Sequence, residues 1–163
     1  MLCKIDNYLR NLYRLSGYIA AIFLILVATF ILTGIASRIF GFYIRGLAEY
    51  SGYCMAASSF LALAYTFGEK GHIRITLFLE KSNKRIRKYL ELWCLSVATF
   101  FSGFLSFYFL KMLLISFNFQ ERSEGADEIL IWIPQVSVAL GSTIFFICVF
   151  HNFILLILKK DNI

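Results

Sequence analysis

The sequence predicts an all-α integral membrane protein with four transmembrane helices and both termini in the cytoplasm. Hydrophobic residues make up 60% of the 163-residue chain, well above the roughly 45–50% that is typical of soluble domains. Residues 50–68 and 92–110 are nineteen-residue runs without a charged side chain, and about 20 residues cross a hydrocarbon layer. Between them, residues 70–88 hold seven cations and a single acid. We therefore expect a basic cytoplasmic loop between two membrane spans.

The N-terminal segment, residues 1–14, has the pattern of an amphipathic helix. Its apolar face contains Leu2, Ile5, Tyr8, Leu9, Leu12 and Tyr13, and its polar face contains Lys4, Asp6, Asn7, Arg10, Asn11 and Arg14. Such a helix lies in the headgroup plane and binds anionic lipids through its basic face. The alternative is that these residues are the first turns of span one, which we expect over residues 15–37. The sequence leaves both possibilities open.

The other three spans follow from the same charge-free runs. Span two is expected over residues 50–68, where small residues would let another helix approach closely in lipid. Residues 69–91 are expected to form the basic cytoplasmic loop and then an interfacial helix that leads into span three, residues 92–116. An acidic connection, residues 117–128, precedes span four, residues 129–158. Pro134 falls near the first turn of that span, where a proline is tolerated.

The cations are distributed unequally between the two sides of the predicted membrane. With the N-terminus inside, the inner segments hold twelve Lys and Arg residues and the outer connections hold three. This bias places both termini in the cytoplasm of a bacterial cell and the acidic connection in the periplasm. The net charge of +6 therefore encodes membrane orientation, and no nucleic-acid partner is expected because no basic face lies on a soluble module.

The sequence lacks the groups that a carrier or an enzyme would need. No acid falls near the middle of a predicted span, although proteins that move ions through their own helices usually bury an ionisable group there. Lys111 lies eighteen residues after Trp93, about 27 Å along a helix, and is expected to reach the far membrane surface. No catalytic set, cofactor or metal site is predicted. We expect that this chain is not an enzyme and does not carry a substrate alone.

Short sequence matches to a known family lie around span two and at the start of span four. The matching residues are Glu49 before the span and residues 68–75, which read GEKGHIRI, after it, together with Gly125, Ile133, Pro134, Gly141 and Ser142. With the four predicted spans, this pattern resembles the small, Q-type membrane subunit of tripartite ATP-independent periplasmic (TRAP) transporters. The resemblance covers most of the chain, and the His-Ile-Arg segment is its most specific part.

This resemblance implies a role in sodium-coupled uptake of an organic acid. In that family a periplasmic binding protein captures the substrate and a large, M-type membrane subunit moves it by an elevator-like motion. The small subunit packs on the static scaffold of the large one. On this hypothesis the candidate interface residues are Glu49, Gly71, His72, Arg74, Arg85 and Arg87. The simpler interpretation is that His72 and Arg74 are polar residues of a helix terminus at headgroup level.

Two other functions are compatible with a small four-span protein. Haem could be held between His72 and His151, the only two histidines, as in four-helix membrane anchors of respiratory oxidoreductases. That hypothesis predicts a red preparation with a Soret band, whereas two polar interfacial histidines predict a colourless one. If the chain were a small homodimeric exporter, it would transport a substrate by itself. Such exporters normally have a carboxylate within a span, which this sequence lacks.

Overall fold

Four long helices make up most of the described chain. The computed structural model describes residues 2–68, 84–125 and 128–158, with side chains over 8–68, 89–125 and 128–157. In chain order the helices are α1 (Leu2–Ile39), α2 (Leu47–Gly68), α3 (Lys84–Phe119) and α4 (Trp132–Leu158). Within these ranges the only β pairing is one isolated bridge, between Arg122 and Leu130. The predicted all-α class is confirmed.

Three of the helices have both the length and the apolar composition of a membrane span. These stretches are Tyr8–Ile39, Tyr89–Phe119 and Trp132–Ile157. At 22 residues, α2 is about 33 Å long, but it is rich in Gly, Ala and Ser and is not among these three stretches. The search for spans covered the described residues alone.

The helices pack side by side in the spatial order α1, α2, α4, α3. Extensive contacts join α1 to α2, α2 to α4 and α4 to α3, whereas α1 only touches α4. A closed four-helix bundle would also bring α1 against α3, but here those two helices lie at opposite edges. The result is an open layer of helices with two broad faces.

The centre of this layer is a close parallel contact between α2 and α4. A Cβ added at Gly141 would lie 2.7 Å from the backbone carbonyl carbon of Phe60, so only glycine fits this crossing. Further along, Cys148 Sγ lies 3.6 Å from the carbonyl oxygen of Ala64. Ala57 and Ala64 are 1% and 0% exposed. The small residues of α2 therefore serve close helix packing, as the sequence predicts.

The outer helices are held by small residues and one polar pair. A Cβ at Gly17 of α1 would lie 2.7 Å from the ring of Tyr65 in α2. At the other edge, the hydroxyls of Ser106 in α3 and Thr143 in α4 are 3.0 Å apart and share a hydrogen bond. Such a bond between neighbouring helices is worth roughly 1 kcal/mol in a membrane. Both edges therefore depend on close approach of helix backbones.

The layer has two distinct ends. At the loop end, α1 and α3 finish and α2 and α4 begin. Here Gly34 of α1 lies beside Leu47 of α2. The ring of Phe117 in α3 packs against Trp132 of α4. At the opposite end, which we call the termini end, Gly68 closes α2 beside Tyr13. The helices α1 and α3 continue beyond this level, since α1 begins at Leu2 and α3 at Lys84.

One helix crosses the predicted boundary at residues 14 and 15. The helix α1 runs from Leu2 to Ile39, so residues 2–14 are helical and continuous with the predicted span one. The reason lies in Tyr13, which was assigned to a membrane-surface face but is 5% exposed in a cluster with Ala64 and Cys148. This packing extends α1 towards the N-terminus, beyond residue 15, the predicted start of span one. Likewise, α3 runs without a break across the predicted boundary between residues 91 and 92.

The helix α4 begins three residues after the predicted start of span four. Residues 129–131 were assigned to this span, but α4 starts at Trp132. Leu130 pairs instead with Arg122 across the preceding turn. The amides of Ile133 and Gln135 then bond to the carbonyl oxygens of Leu130 and Ile131. Pro134 has no amide hydrogen and sits in this first turn, where its missing donor costs nothing.

Candidate interaction surfaces

The structure does not bring the predicted interface residues together. Glu49 lies half-buried in the first turn of α2 at the loop end. Arg85 and Arg87 lie in the first turn of α3 at the termini end, and their side chains are outside the described part. Gly71, His72 and Arg74 fall outside the described residues altogether. The six candidates therefore belong to at least two surfaces, separated by the length of α2.

Glu49 sits in a favourable electrostatic position without a protein partner. A carboxylate in the first turn of a helix is stabilised by the positive end of the helix dipole. Its side chain forms no hydrogen bond or ion pair with any residue that the structure describes. The turn before it depends on Gly46, which has a φ of 81° and accepts a hydrogen bond from the amide of Tyr50. Glu49 is thus held at the loop end, in the first turn of α2.

The two histidines are not joined into a site by the described structure. His151 is half-buried on α4 towards the termini end, and it takes part in at least one polar, ring or electrostatic interaction. His72 lies outside the described residues. Among the described side chains, no group of three or more His, Cys, Asp or Glu is placed to hold a metal ion. The haem hypothesis therefore stays a prediction.

A folded hairpin, residues 120–131, closes the loop end between α3 and α4. The amide of Ser123 bonds to the carbonyl of Ile129 at 2.7 Å, and the amide of Ile131 bonds to the carbonyl of Glu121 at 3.0 Å. Gln120 at its start and Glu128 in its second half have left-handed φ values of 51° and 49°. The sequence predicted only an acidic connection here. Residues 126 and 127 of the hairpin are outside the described part.

Side chains fix this hairpin to two helices. The hydroxyls of Tyr53 in α2 and Ser123 are 3.0 Å apart. Ser116 of α3, which is 2% exposed, donates a hydrogen bond of 2.7 Å to Oε2 of Glu121. Sequence reasoning missed Tyr53, Ser116 and Ser123, because single hydroxyls carry no periodic signal. The hairpin therefore presents the exposed carboxylates of Glu124 and Glu128 on a preorganised surface.

The middle of the layer holds no carboxylate among the described side chains. Hydroxyls within the helices mostly bond to carbonyl oxygens of their own helix, three or four residues back. These include the side chains of Ser16, Thr29, Thr33, Ser59, Thr66, Thr99 and Ser142. All described acids lie towards the ends of the layer: Glu49, Glu91, Glu121, Glu124 and Glu128. This arrangement offers no pathway of ionisable groups through the membrane.

Large apolar side chains cover the two edges instead. On α1, Leu24 and Leu32 are 60% and 65% exposed, and on α3, Phe100 and Phe107 are 70% and 64% exposed. Exposed apolar surface on this scale marks contact with lipid or with another membrane protein. The described edges of the layer are therefore suited to contact with lipid or with another membrane protein.

Comparison with known proteins gives one result. A protein-family model described as "Tripartite ATP-independent periplasmic transporters, DctQ component" matches residues 26–159. The matched region includes α2, α3 and α4 completely and about the last third of α1. No curated protein and no solved structure matches the chain.

Proposed function

Because the chain belongs to the DctQ family, the small permease subunits of TRAP transporters, we propose that it is a static scaffold for the large membrane subunit. Members of this family work in complexes with a large membrane subunit and a periplasmic binding protein, and the family is one of transporter components rather than enzymes. The observation that carries the proposal is an open helix layer whose described acids all lie near its ends.

The shape of the layer suits a scaffold. Neighbouring helix axes lie about 8–10 Å apart, so four helices in a row form a wall roughly 35 Å wide. A wall of this width buries one face against a partner and keeps the other in lipid. It also broadens the area that the partner occupies in the bilayer. The partner then resists tilting while its transport domain moves. A closed bundle of the same four helices would offer a narrower contact.

The same layer is poorly suited to carry a substrate by itself. A sodium-coupled carrier of an acid needs ion ligands and a substrate site near mid-depth, usually at broken helices. In the described ranges α1 to α4 are continuous. Lys111 is an exposed cation eight residues before the end of α3. We therefore assign sodium coupling and recognition of an organic acid to the assembled transporter.

We propose four spans with both termini in the cytoplasm of the inner membrane. Phe30 packs on Tyr50 at the loop end, and Gly68 meets Tyr13 at the termini end, so α2 runs beside α1 through the layer. The twelve cations of the predicted inner segments, against three in the outer connections, set the orientation of the helices in the membrane. A fluorescent protein fused after Ile163 should therefore fluoresce in cells, since it folds in the cytoplasm. A dark, periplasmic fusion would reverse the proposed orientation.

The proposed scaffold predicts stable association with a second membrane protein. Affinity-tagged chain, extracted in mild detergent from its native membrane, should co-purify with a polypeptide of roughly twelve spans. An iron–sulfur or flavin subunit in its place, with a Soret band, would instead establish the haem-anchor function. We expect that Glu49→Gln and Arg74→Ala each lower recovery of the partner several-fold, because each removes a charge proposed to bond to the partner or to the inner loop.

The matched control for that experiment is Arg38→Gln. Arg38 is an exposed cation in the last turn of α1 and has no assigned interface role. Its substitution should leave recovery of the partner unchanged. If all three variants recover the large subunit equally, then Glu49 and Arg74 are not interface residues. The basic residues at the termini end, including Arg85 and Arg87, are proposed in addition to bind anionic lipids.

A further inference from the structure

An open cleft at the loop end is lined by α3, the hairpin and α4. Its volume is about 480 Å³, within the roughly 300–1,000 Å³ of small-ligand sites. Its apolar walls are Met112, Ile115 and Ile131, and its polar groups are Lys111, Glu121 and Gln135. The cleft is therefore amphipathic, with one cation and one carboxylate beside an apolar surface.

The charges of the cleft are only partly used by the rest of the described structure. Lys111 forms no ion pair or hydrogen bond with a described residue, and it does not pair with Glu121. The carboxylate of Glu121 accepts a hydrogen bond from Ser116 at Oε2, which leaves Oε1 without a described partner. Gln135 contributes a further acceptor, Oε1, which is buried and lacks a described donor. A ligand with an anion for Lys111 and an N–H donor for the acceptors would complete the site.

The two charges lie at different depths. Trp132 packs edge-on against Phe117 with ring centroids 5.4 Å apart, and tryptophan typically marks the headgroup level of a membrane. Lys111 lies six residues before Phe117 on α3, which is about 9 Å towards the hydrocarbon. Glu121 follows Phe117 and lies on the headgroup side. The Cα of Lys111 therefore lies deeper than that of Glu121, and its long side chain extends from there towards the headgroup level.

We propose that this cleft binds one phosphatidylethanolamine molecule of the leaflet at the loop end. In this lipid the phosphate is next to the glycerol and the primary ammonium is at the outer tip of the headgroup. The phosphate then meets Lys111, the ammonium donates to Glu121, and the acyl chains follow Met112 and Ile115. Phosphatidylcholine has the same charge order but no N–H donor, and phosphatidylglycerol has no cation. The site therefore selects a primary amine headgroup.

This assignment rests on the membrane-spanning arrangement proposed above but not on transport. The test uses the full-length chain, purified with its large subunit where the two co-purify. The protein is equilibrated with equal amounts of phosphatidylethanolamine, phosphatidylcholine and phosphatidylglycerol, and the retained lipids are counted by native mass spectrometry. Variants are Lys111→Gln, Lys111→Arg and Glu121→Gln. The control is Arg38→Gln, at the same end of the layer but outside the cleft.

We expect one phosphatidylethanolamine to be retained in clear excess over the other two lipids. Loss of a charge-assisted hydrogen bond lowers affinity roughly tenfold, so Lys111→Gln should lower retention by about that factor. Lys111→Arg and Arg38→Gln should preserve retention. Glu121→Gln should remove the preference for phosphatidylethanolamine over phosphatidylglycerol. The variant protein should still elute as a single species.

Three results would overturn the assignment. Equal retention of the three lipids would show that the headgroup is not selected. Unchanged retention in Lys111→Gln would show that the cation plays no part. A photocrosslinker at position 111 that captures the large subunit and no lipid would show that a protein occupies the cleft. Each of these results leaves the scaffold function intact, so the two proposals fail separately.

Discussion

Gly141→Leu is expected to prevent α2 and α4 from packing and to leave little correctly folded protein. Even the first added carbon would lie 2.7 Å from the carbonyl carbon of Phe60 and 2.9 Å from the amide nitrogen of Leu61. Both are backbone atoms, so the clash is relieved only by moving the helices apart. Overpacking of this kind costs about 1–3 kcal/mol in cores that can adjust, and separating the two central helices would also disrupt the cluster around Cys148.

The measurement is the yield of monodisperse protein and its thermal midpoint in detergent, for the chain without its partner. Gly52→Leu is the matched control, because nothing lies within 4 Å of a Cβ at Gly52. We expect near-normal behaviour for this control and a severe loss for Gly141→Leu. Gly17→Ala should have an intermediate effect, since its neighbour is the side chain of Tyr65, which is 39% exposed and has room to shift. Similar midpoints for the variants at 141 and 52 would contradict the described crossing.

The helices themselves were largely predictable from the sequence. Charge-free runs gave the approximate positions of α1, α3 and α4, because burying a charge in hydrocarbon is costly and such runs are rare by chance. The small residues of span two indicated close packing, which Ala57 and Ala64 now show. These features depend on local composition, which a single sequence records directly.

The arrangement of the helices was not predictable in the same way. Nothing local distinguishes an open layer from a closed bundle, because the order α1, α2, α4, α3 depends on contacts between distant residues such as Phe60 and Gly141. Tyr13 shows the same limit, since its amphipathic surroundings suggested a membrane surface but its ring is buried against other helices. The hairpin is defined by backbone hydrogen bonds around Ser123 and Ile129, which leave no periodic pattern.

Among the candidate interface residues, only Glu49 could be placed with its side chain. Glu49 directly precedes the predicted span two in the sequence, and it lies in the first turn of α2 in the structure. The cleft around Lys111 was missed because it depends on the hairpin, which brings Glu121 and Ile131 beside α3 and leaves no periodic pattern in the sequence.

Transport by purified components in liposomes tests the scaffold function most directly. Three samples are compared under an inward sodium gradient with the binding protein and its organic acid outside: this chain alone, the large subunit alone, and both together. We expect accumulation of the acid only where the large subunit is present and, at full rate, only with both subunits. Liposomes that contain this chain alone should stay at background, because its described helices hold no acid at mid-depth. Accumulation by this chain alone would contradict the proposed function.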